Sequence, residues 1–219
     1  MTSTPQAIVF DLGGVLIDWD PRHMYRKLIG DEAVMDMFLG EIATLRWNAY
    51  HDEGRRWSDG VAMLSAVYPE YADWIAAYIE RWEEMLNGPI EGSLQILSEL
   101  KDRGREIHAL TNWSAETFPI ALDRYDFLGW FEHIIVSGEE RVKKPDPRIF
   151  AILLDRIDRT AADCVFIDDS ATNIAAAAEL GFATIHFTSP EQLDRDLASL
   201  GLLDRPGTSD GPGDVIPVE

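Results

Sequence analysis

Val165-Phe166-Ile167-Asp168-Asp169-Ser170-Ala171-Thr172-Asn173 is the stretch on which the reading of this chain turns. Its apolar first half describes a buried strand, and two adjacent carboxylates stand where that strand ends. Two like charges at one strand end repel, and the repulsion is costly unless a cation neutralises them. The stretch therefore describes a sheet edge built to meet positive charge.

Four more short apolar runs occur at Ala7 to Phe10, Ile107 to Leu110, Ile134 to Val136 and Ala183 to Phe187. Each is separated from the next by a helical pattern or a long insertion, the alternation of a parallel α/β sheet. Asp146-Pro147 reads as an N-cap before an N1 proline, and Ser189-Pro190-Glu191-Gln192 combines an N1 proline with a capping box. Gly181 and Gly201 supply helix stops. The expected fold is α/β, a Rossmann-like parallel sheet core with an inserted all-helical domain. Residues 1–19 and 88–203 belong to the core; residues 20–87 form the insertion, with no strand pattern of their own.

Within the insertion, Tyr71, Trp74, Ile75, Tyr78, Ile79, Trp82, Met85 and Leu86 fall on a single apolar face, so a helix is expected across them. Their aromatics are expected to pack inside a small bundle, not to line a ligand cage. Asn87-Gly88-Pro89 marks the return to the sheet domain. The run Ala175 to Ala178 lets a helix pack closely on the sheet. From Asp204 to Glu219 the chain holds three glycines, three prolines and four acidic residues. That is too little apolar surface to offset ordering entropy, and an acidic disordered tail is expected.

Composition narrows the function. With 219 residues, 46% hydrophobic and 10% aromatic, the chain has ample material for a core, and wholesale disorder is excluded. Its 19 Lys and Arg against 39 Asp and Glu give a net charge of −20, which repels nucleic-acid backbones and anionic membrane surfaces. Even an unbroken apolar run such as Trp74 to Ile79, which no other run exceeds, is far short of the ~18 residues of a membrane-spanning helix. Met1 to Gln6 offers neither a charged n-region nor an apolar h-region, so a cytoplasmic location is expected. The single cysteine, Cys164, excludes an internal disulfide and reads as an inert core thiol. The histidines at 23, 51, 108, 133 and 186 have no i, i+4 pairing, so any metal is expected to be oxygen-ligated. Oligomeric state is not readable from the chain.

Three further elements stand beside the acidic pair. Asp11 directly follows the first strand in Ile8-Val9-Phe10-Asp11-Leu12-Gly13-Gly14-Val15-Leu16, where glycines let backbone amides approach a ligand. Thr111-Asn112 follows the second strand with a hydroxyl, an amide and backbone N–H groups as neutral donors for an oxyanion. Lys144 sits in Val142-Lys143-Lys144-Pro145-Asp146-Pro147, next to a helix start that favours anions. Each alone has an ordinary structural explanation as a turn, a cap or a surface charge. Together they all fall at the carboxyl ends of parallel strands, where α/β proteins bind ligands.

This set resembles the haloacid dehalogenase superfamily, whose motifs are an Asp after strand one, a Ser or Thr after strand two, a Lys, and an acidic pair. The match runs from Ala7 to about Leu203. The segments FDLGGVLIDWD, KKPDPRIF and IDDSATN most resemble sugar-phosphate phosphatases and the N-terminal phosphatase domains of epoxide hydrolases. The resemblance makes residues 20–87 a helical cap and implies a Mg²⁺-dependent phosphatase for a small phosphorylated metabolite such as a sugar phosphate. It implies Asp11 as the nucleophile that forms an aspartyl phosphate, and Gly14, Thr111, Asn112 and Lys144 as phosphate-binding. Asp11, the Gly13 carbonyl and Asp169 become metal ligands, with Asp168 and Asn173 behind them, orienting metal-bound water or holding Lys144.

One position departs from that pattern. Most phosphatases of the superfamily carry a second Asp two residues after the nucleophile, as general acid and then base; here Gly13 stands there. Three accounts stay open: Asp18, Asp20, His23 or a cap residue supplies the proton; the substrate has a good leaving group; or turnover has been lost. The last makes the chain a non-catalytic sensor of a phosphorylated ligand. A mutase, which needs that second Asp, is not expected. A metal-independent 2-haloacid dehalogenase also lacks it, but an uncompensated acidic pair beside the nucleophile repels a departing halide. Specificity is expected from the cap, where Trp19, Arg46, Trp47, His51, Arg55 and Arg56 offer stacking surfaces and cations.

Overall fold

The computed structural model describes residues 4–205. Its main sheet has five parallel strands in the order β5-β4-β1-β6-β7, formed by β1 (Ala7–Phe10), β4 (Glu106–Thr111), β5 (His133–Val136), β6 (Cys164–Asp168) and β7 (Ala183–His186). A separate antiparallel ribbon pairs β2 (Ile17–Trp19) with β3 (Leu86–Pro89). All five apolar runs read from the sequence lie in the main sheet, and the chain has the expected α/β, Rossmann-like architecture.

The strands are apolar throughout because both faces are covered. Along β1, Ile8 and Phe10 enter one core, with Leu97 and Leu100 of the helix Glu91–Asp102 and Leu193 of Pro190–Ser199. Ala7 and Val9 enter the other, with Ile149 and Leu153 of the helix Pro147–Ile157 and Ala177 of Ala171–Glu179. The strand period of two sends alternate residues to opposite faces, so neither face can be polar. Asp146 and Ser189 cap their helices as expected, accepting from the backbone amides of Arg148 and Gln192. The return bond of the Ser189 box shifts by one residue, with Gln192 Oε1 accepting from the Thr188 amide at 2.9 Å.

Helices fill the chain between β2 and β3: Pro21–Ile29, Glu32–Met37, Leu45–His51, Trp57–Val67 and Ala72–Glu80. Tyr25, Phe38, Trp47, Trp57 and Tyr78 pack ring against ring at centroid distances of 5.0 to 6.0 Å, and their core runs on into that of the sheet. The stripe from Tyr71 to Leu86 is not one helix. It is α-helical only over Ala72–Glu80, then breaks at Arg81 into the 3₁₀ turn Trp82–Met85 and enters β3 at Leu86. Trp82 and Met85 stay buried because the tighter turn still faces the core, where Trp82 meets Trp113 at 5.5 Å.

Asn87-Gly88-Pro89, read as the return to the sheet domain, lies in β3. A two-stranded ribbon tolerates Gly88 and Pro89 because an edge strand has amides that need no partner. Of the tail, Asp204 and Arg205 are held, Arg205 pairing with Glu99 and Asp194; the remainder lies outside the described residues. No helix among the described residues is long and apolar enough to cross a membrane.

Gly60 gives a direct test of the packing between β2 and β3. A Cβ there would lie 2.0 Å from Nε2 of the buried His51 ring, which stacks on Trp57 at 3.8 Å. Gly60→Ala is expected to cost about 1–3 kcal/mol by overpacking. Thermal unfolding checks it, with a midpoint lowered by roughly 2–4 °C per kcal/mol.

Candidate active site

Strand register assembles the site. Phe10 pairs with Ala109 and Ile167, so Asp11, Leu110 and Asp168 form one row at the carboxyl edge, and the Asp11 amide donates to Ile167 O at 2.8 Å. Lys144 enters this row from the loop after β5, its ammonium fully enclosed. Nζ donates to Leu110 O at 2.7 Å and Asp168 Oδ2 at 2.7 Å, and pairs with Asp11 Oδ1 at 3.0 Å. The loop is fixed by Asn112, whose side-chain oxygen accepts from the Lys144 amide at 2.8 Å while its NH₂ donates to Lys144 O at 3.0 Å. The Lys144–Pro145 peptide is cis.

Asp168 is saturated. Its two oxygens also accept from the Ser170 amide at 2.8 Å and from Asn173 Nδ2 at 3.1 Å, and the residue is wholly buried. Asp169 is exposed at the rim. Oxygens of Asp11, Asp168 and Asp169 lie within 4.8 Å of one another. Three carboxylates and one ammonium leave two negative charges, which matches a divalent cation. Burial, then repulsion from its acidic neighbours, holds the Asp11 carboxyl above the usual range against the pull of Lys144; burial and Asp168 raise Asp169. The all-oxygen donor set suits a hard cation such as Mg²⁺.

Two adjacent glycines differ in what they permit. Gly14 has φ +76°, and a Cβ there would meet Asp169 Oδ2 at 2.4 Å, so only glycine fits. At Gly13 a Cβ would meet nothing within 4 Å. The backbone there does not demand glycine, and the space a longer side chain would occupy stands open.

Above the row lies a cleft of about 550 Å³, lined on one side by Asp11, Gly13, Gly14, Asn112 and Asp169. Trp19, Leu39, Ala43, Leu45, Asn48 and Asp52 line the other. Thr111 ends β4 and is buried. Of the six residues considered for specificity, only Trp19 lines this cleft. Trp47 and His51 are buried in the aromatic core, Arg55 lies over the Tyr50 ring, and Arg46 and Arg56 are exposed elsewhere. The sequence did not point to the contacts that hold the helices over the sheet edge. Ser137 Oγ donates to Asp52 O at 2.5 Å, Trp57 Nε1 donates to Ser114 Oγ at 3.1 Å, and Lys143 pairs with Glu53 at 2.9 Å.

A carboxylate after β1, a lysine bound to it and an acidic pair after β6 thus stand in one row at the carboxyl edge of a parallel sheet. The chain belongs to the haloacid dehalogenase-like hydrolases, whose family model matches residues 5–181. It is 29% identical over 189 residues to the sesquiterpene phosphatase astK of Aspergillus oryzae, covering 86% of this chain and 92% of that protein. It is 24% identical over 207 residues to the ribulose-1,5-bisphosphate 5-phosphatase of Halopiger xanaduensis, covering 86% and 87%. In fold it is similar to a Bacteroides thetaiotaomicron enzyme of the same family in complex with magnesium and inorganic phosphate, with a TM-score of 0.64, 21% identity, and 84% and 95% coverage.

Removing the Lys144 charge is expected to destabilise the fold, because Asp168 is left buried without its cation. Lys144→Met should cost about 3–5 kcal/mol in chemical denaturation, far beyond the loss of an exposed lysine.

Proposed function

We propose that this hydrolase is a magnesium-dependent phosphatase for the monophosphate ester of a small metabolite, acting through an aspartyl phosphate on Asp11. The observation that carries the reading is the row Asp11–Lys144–Asp168 with Asp169 at its rim: a nucleophile held by a cation, beside an uncommitted carboxylate and two uncompensated negative charges. Asp11, Asp169 and the Gly13 carbonyl are the groups that would hold magnesium. When bound, the ion supplies positive charge that neutralises the carboxylates and the phosphoryl oxygens.

The chain's own groups do the rest. Asp11 attacks phosphorus in line with the departing ester oxygen. Lys144 keeps the Asp11 carboxylate oriented and offsets charge on the transferring group. Thr111, the backbone beside Gly14 and the amide at Asn112 take phosphoryl oxygens; the Asn112 side chain is committed to Lys144 and serves by fixing it. Asp168 holds Lys144 from behind and is itself held by Asn173. The helices between β2 and β3 act as a cap that excludes bulk water. Trp19, Leu39, Ala43 and Leu45 face the leaving group, which supports an alcohol with apolar surface as well as the sugar expected from the sequence.

Phosphate release from a panel of aryl, alkyl and sugar phosphates, with Mg²⁺ and with EDTA, tests the reading. Asp11→Asn should abolish release while the chain still folds. Tight Mg²⁺-dependent ester binding with no release from any ester would replace the phosphatase with the sensor. Magnesium should also raise the wild-type unfolding midpoint by mass action, and Asp169→Asn should remove most of that rise.

A further inference from the structure

The phosphatase reading leaves one group unassigned: the proton donor for the leaving oxygen, which the superfamily places where this chain has Gly13. Among the described residues, four carboxylates line the cleft: Asp11, Asp20, Asp52 and Asp169. Asp11 and Asp169 belong to the reaction row. Asp20 caps the helix Pro21–Ile29 by accepting from the Arg22 amide at 2.8 Å. Asp18 and His23 do not line the cleft. They pair with each other at 3.0 Å, and Asn87 donates to the second Asp18 oxygen at 2.9 Å.

Asp52 remains. It follows the helix Leu45–His51, is half-buried, and borders both the main cleft and a side recess of about 60 Å³. Gly13 borders the same two cavities, so the space vacated at Gly13 opens toward the Asp52 side. The Asp52 carboxyl accepts from Asn48 Nδ2 at 2.9 Å, and the Asp52 carbonyl accepts from Ser137 Oγ, which itself accepts from the Trp113 amide at 3.0 Å. Asp52 is thus anchored to the loop that follows Thr111. Its burial pushes the carboxyl up to about 7, against the pull of Lys143 and of the Asn48 bond. The other ionisable groups around it are Glu53, tied to Lys143; Tyr78, whose hydroxyl donates to Asn48; and its chain neighbour His51, which burial holds down to about 4.

We infer that Asp52, reaching the cleft from the opposite wall, is the catalytic general acid and base that the Gly13 position lacks. In the first step a bond forms between an Asp11 carboxylate oxygen and phosphorus as the bond from phosphorus to the ester oxygen breaks; the Asp52 proton passes to that oxygen, and the alcohol leaves. In the second, the Asp52 carboxylate takes a proton from water as the water oxygen bonds to phosphorus. The bond to Asp11 breaks, inorganic phosphate leaves, and Asp52 is again protonated. The inference rests on the phosphatase reading.

The test compares kcat/KM for 4-nitrophenyl phosphate, whose leaving group needs no proton, with that for 2-phenylethyl phosphate, whose alkoxide does. Asp52→Asn should lower the alkyl value by about 100-fold or more while changing the aryl value by less than about 10-fold. A burst of nitrophenolate should appear as dephosphorylation slows. The wild-type protein carries the same test without a substitution, should the variant fail to fold. Its alkyl kcat/KM should fall as pH rises above about 7, where the acid is lost, while the aryl value does not fall with it. Equal losses on both esters, no loss on either, or identical basic limbs for both would overturn the assignment and leave the phosphatase standing. No release from either ester by the wild-type protein would bring down the phosphatase reading and this one with it.

Discussion

Lys144 brings a full positive charge into the interior, where desolvation costs several kcal/mol per ion unless geometry and hydrogen bonds return it. Its acceptors come from three adjacent strand ends: the Asp11 carboxylate after β1, the Leu110 carbonyl on β4 and the Asp168 carboxylate on β6. A one-residue slip in either strand pairing would turn one of these groups to the opposite face. The Asn112 clamp on the Lys144 peptide and the Asn173 bonds to Asp168 fix the same contacts from the loop side and the helix side. Sheet register, loop path and reactive centre are one constraint met together.

That constraint also bears on how so acidic a chain could take the phosphate ester proposed for it. A net charge of −20 opposes the approach of any anion. At physiological ionic strength, however, exposed charges beyond about 8 Å are largely screened, and local groups decide. Asp11, Asp168, Asp169 and Lys144 together leave two negative charges, with only Asp169 exposed at the rim. Under the proposed function a divalent cation would offset them before a phosphate ester is held.

The sheet was legible in the sequence because buried parallel strands must be apolar at every position, and the five runs from Ala7 to Phe187 are. The row Asp11, Lys144, Asp168 and Asp169 was legible because each residue stands beside a strand end or a helix start that has its own signal. The break at Arg81 was not, because Trp82 and Met85 continue the helical spacing while changing to a 3₁₀ turn. β3 was hidden by Gly88 and Pro89, which are poor strand formers and are tolerated because the ribbon has no further neighbour. Asp52 was invisible for a different reason. Nothing in Tyr50-His51-Asp52-Glu53-Gly54 separates it from a solvated acidic turn; its place depends on Ser137, distant in sequence, and Asn48, one helical turn away.

The β2–β3 ribbon carries a mechanical consequence. Both chain crossings between the sheet and the helices run through two strands paired to each other from Ile17–Pro89 to Trp19–Leu86. A pair of crossings clamped side by side resists shear and separation far more than it resists twisting about its own long axis. The same ribbon fixes where the helices can rest on the sheet edge, and the contacts away from it, Ser137 Oγ to Asp52 O, Trp57 Nε1 to Ser114 Oγ and Lys143 to Glu53, fasten their far side. The floor of the cleft and its roof are thus joined along two separate seams, one made of backbone and one of side chains.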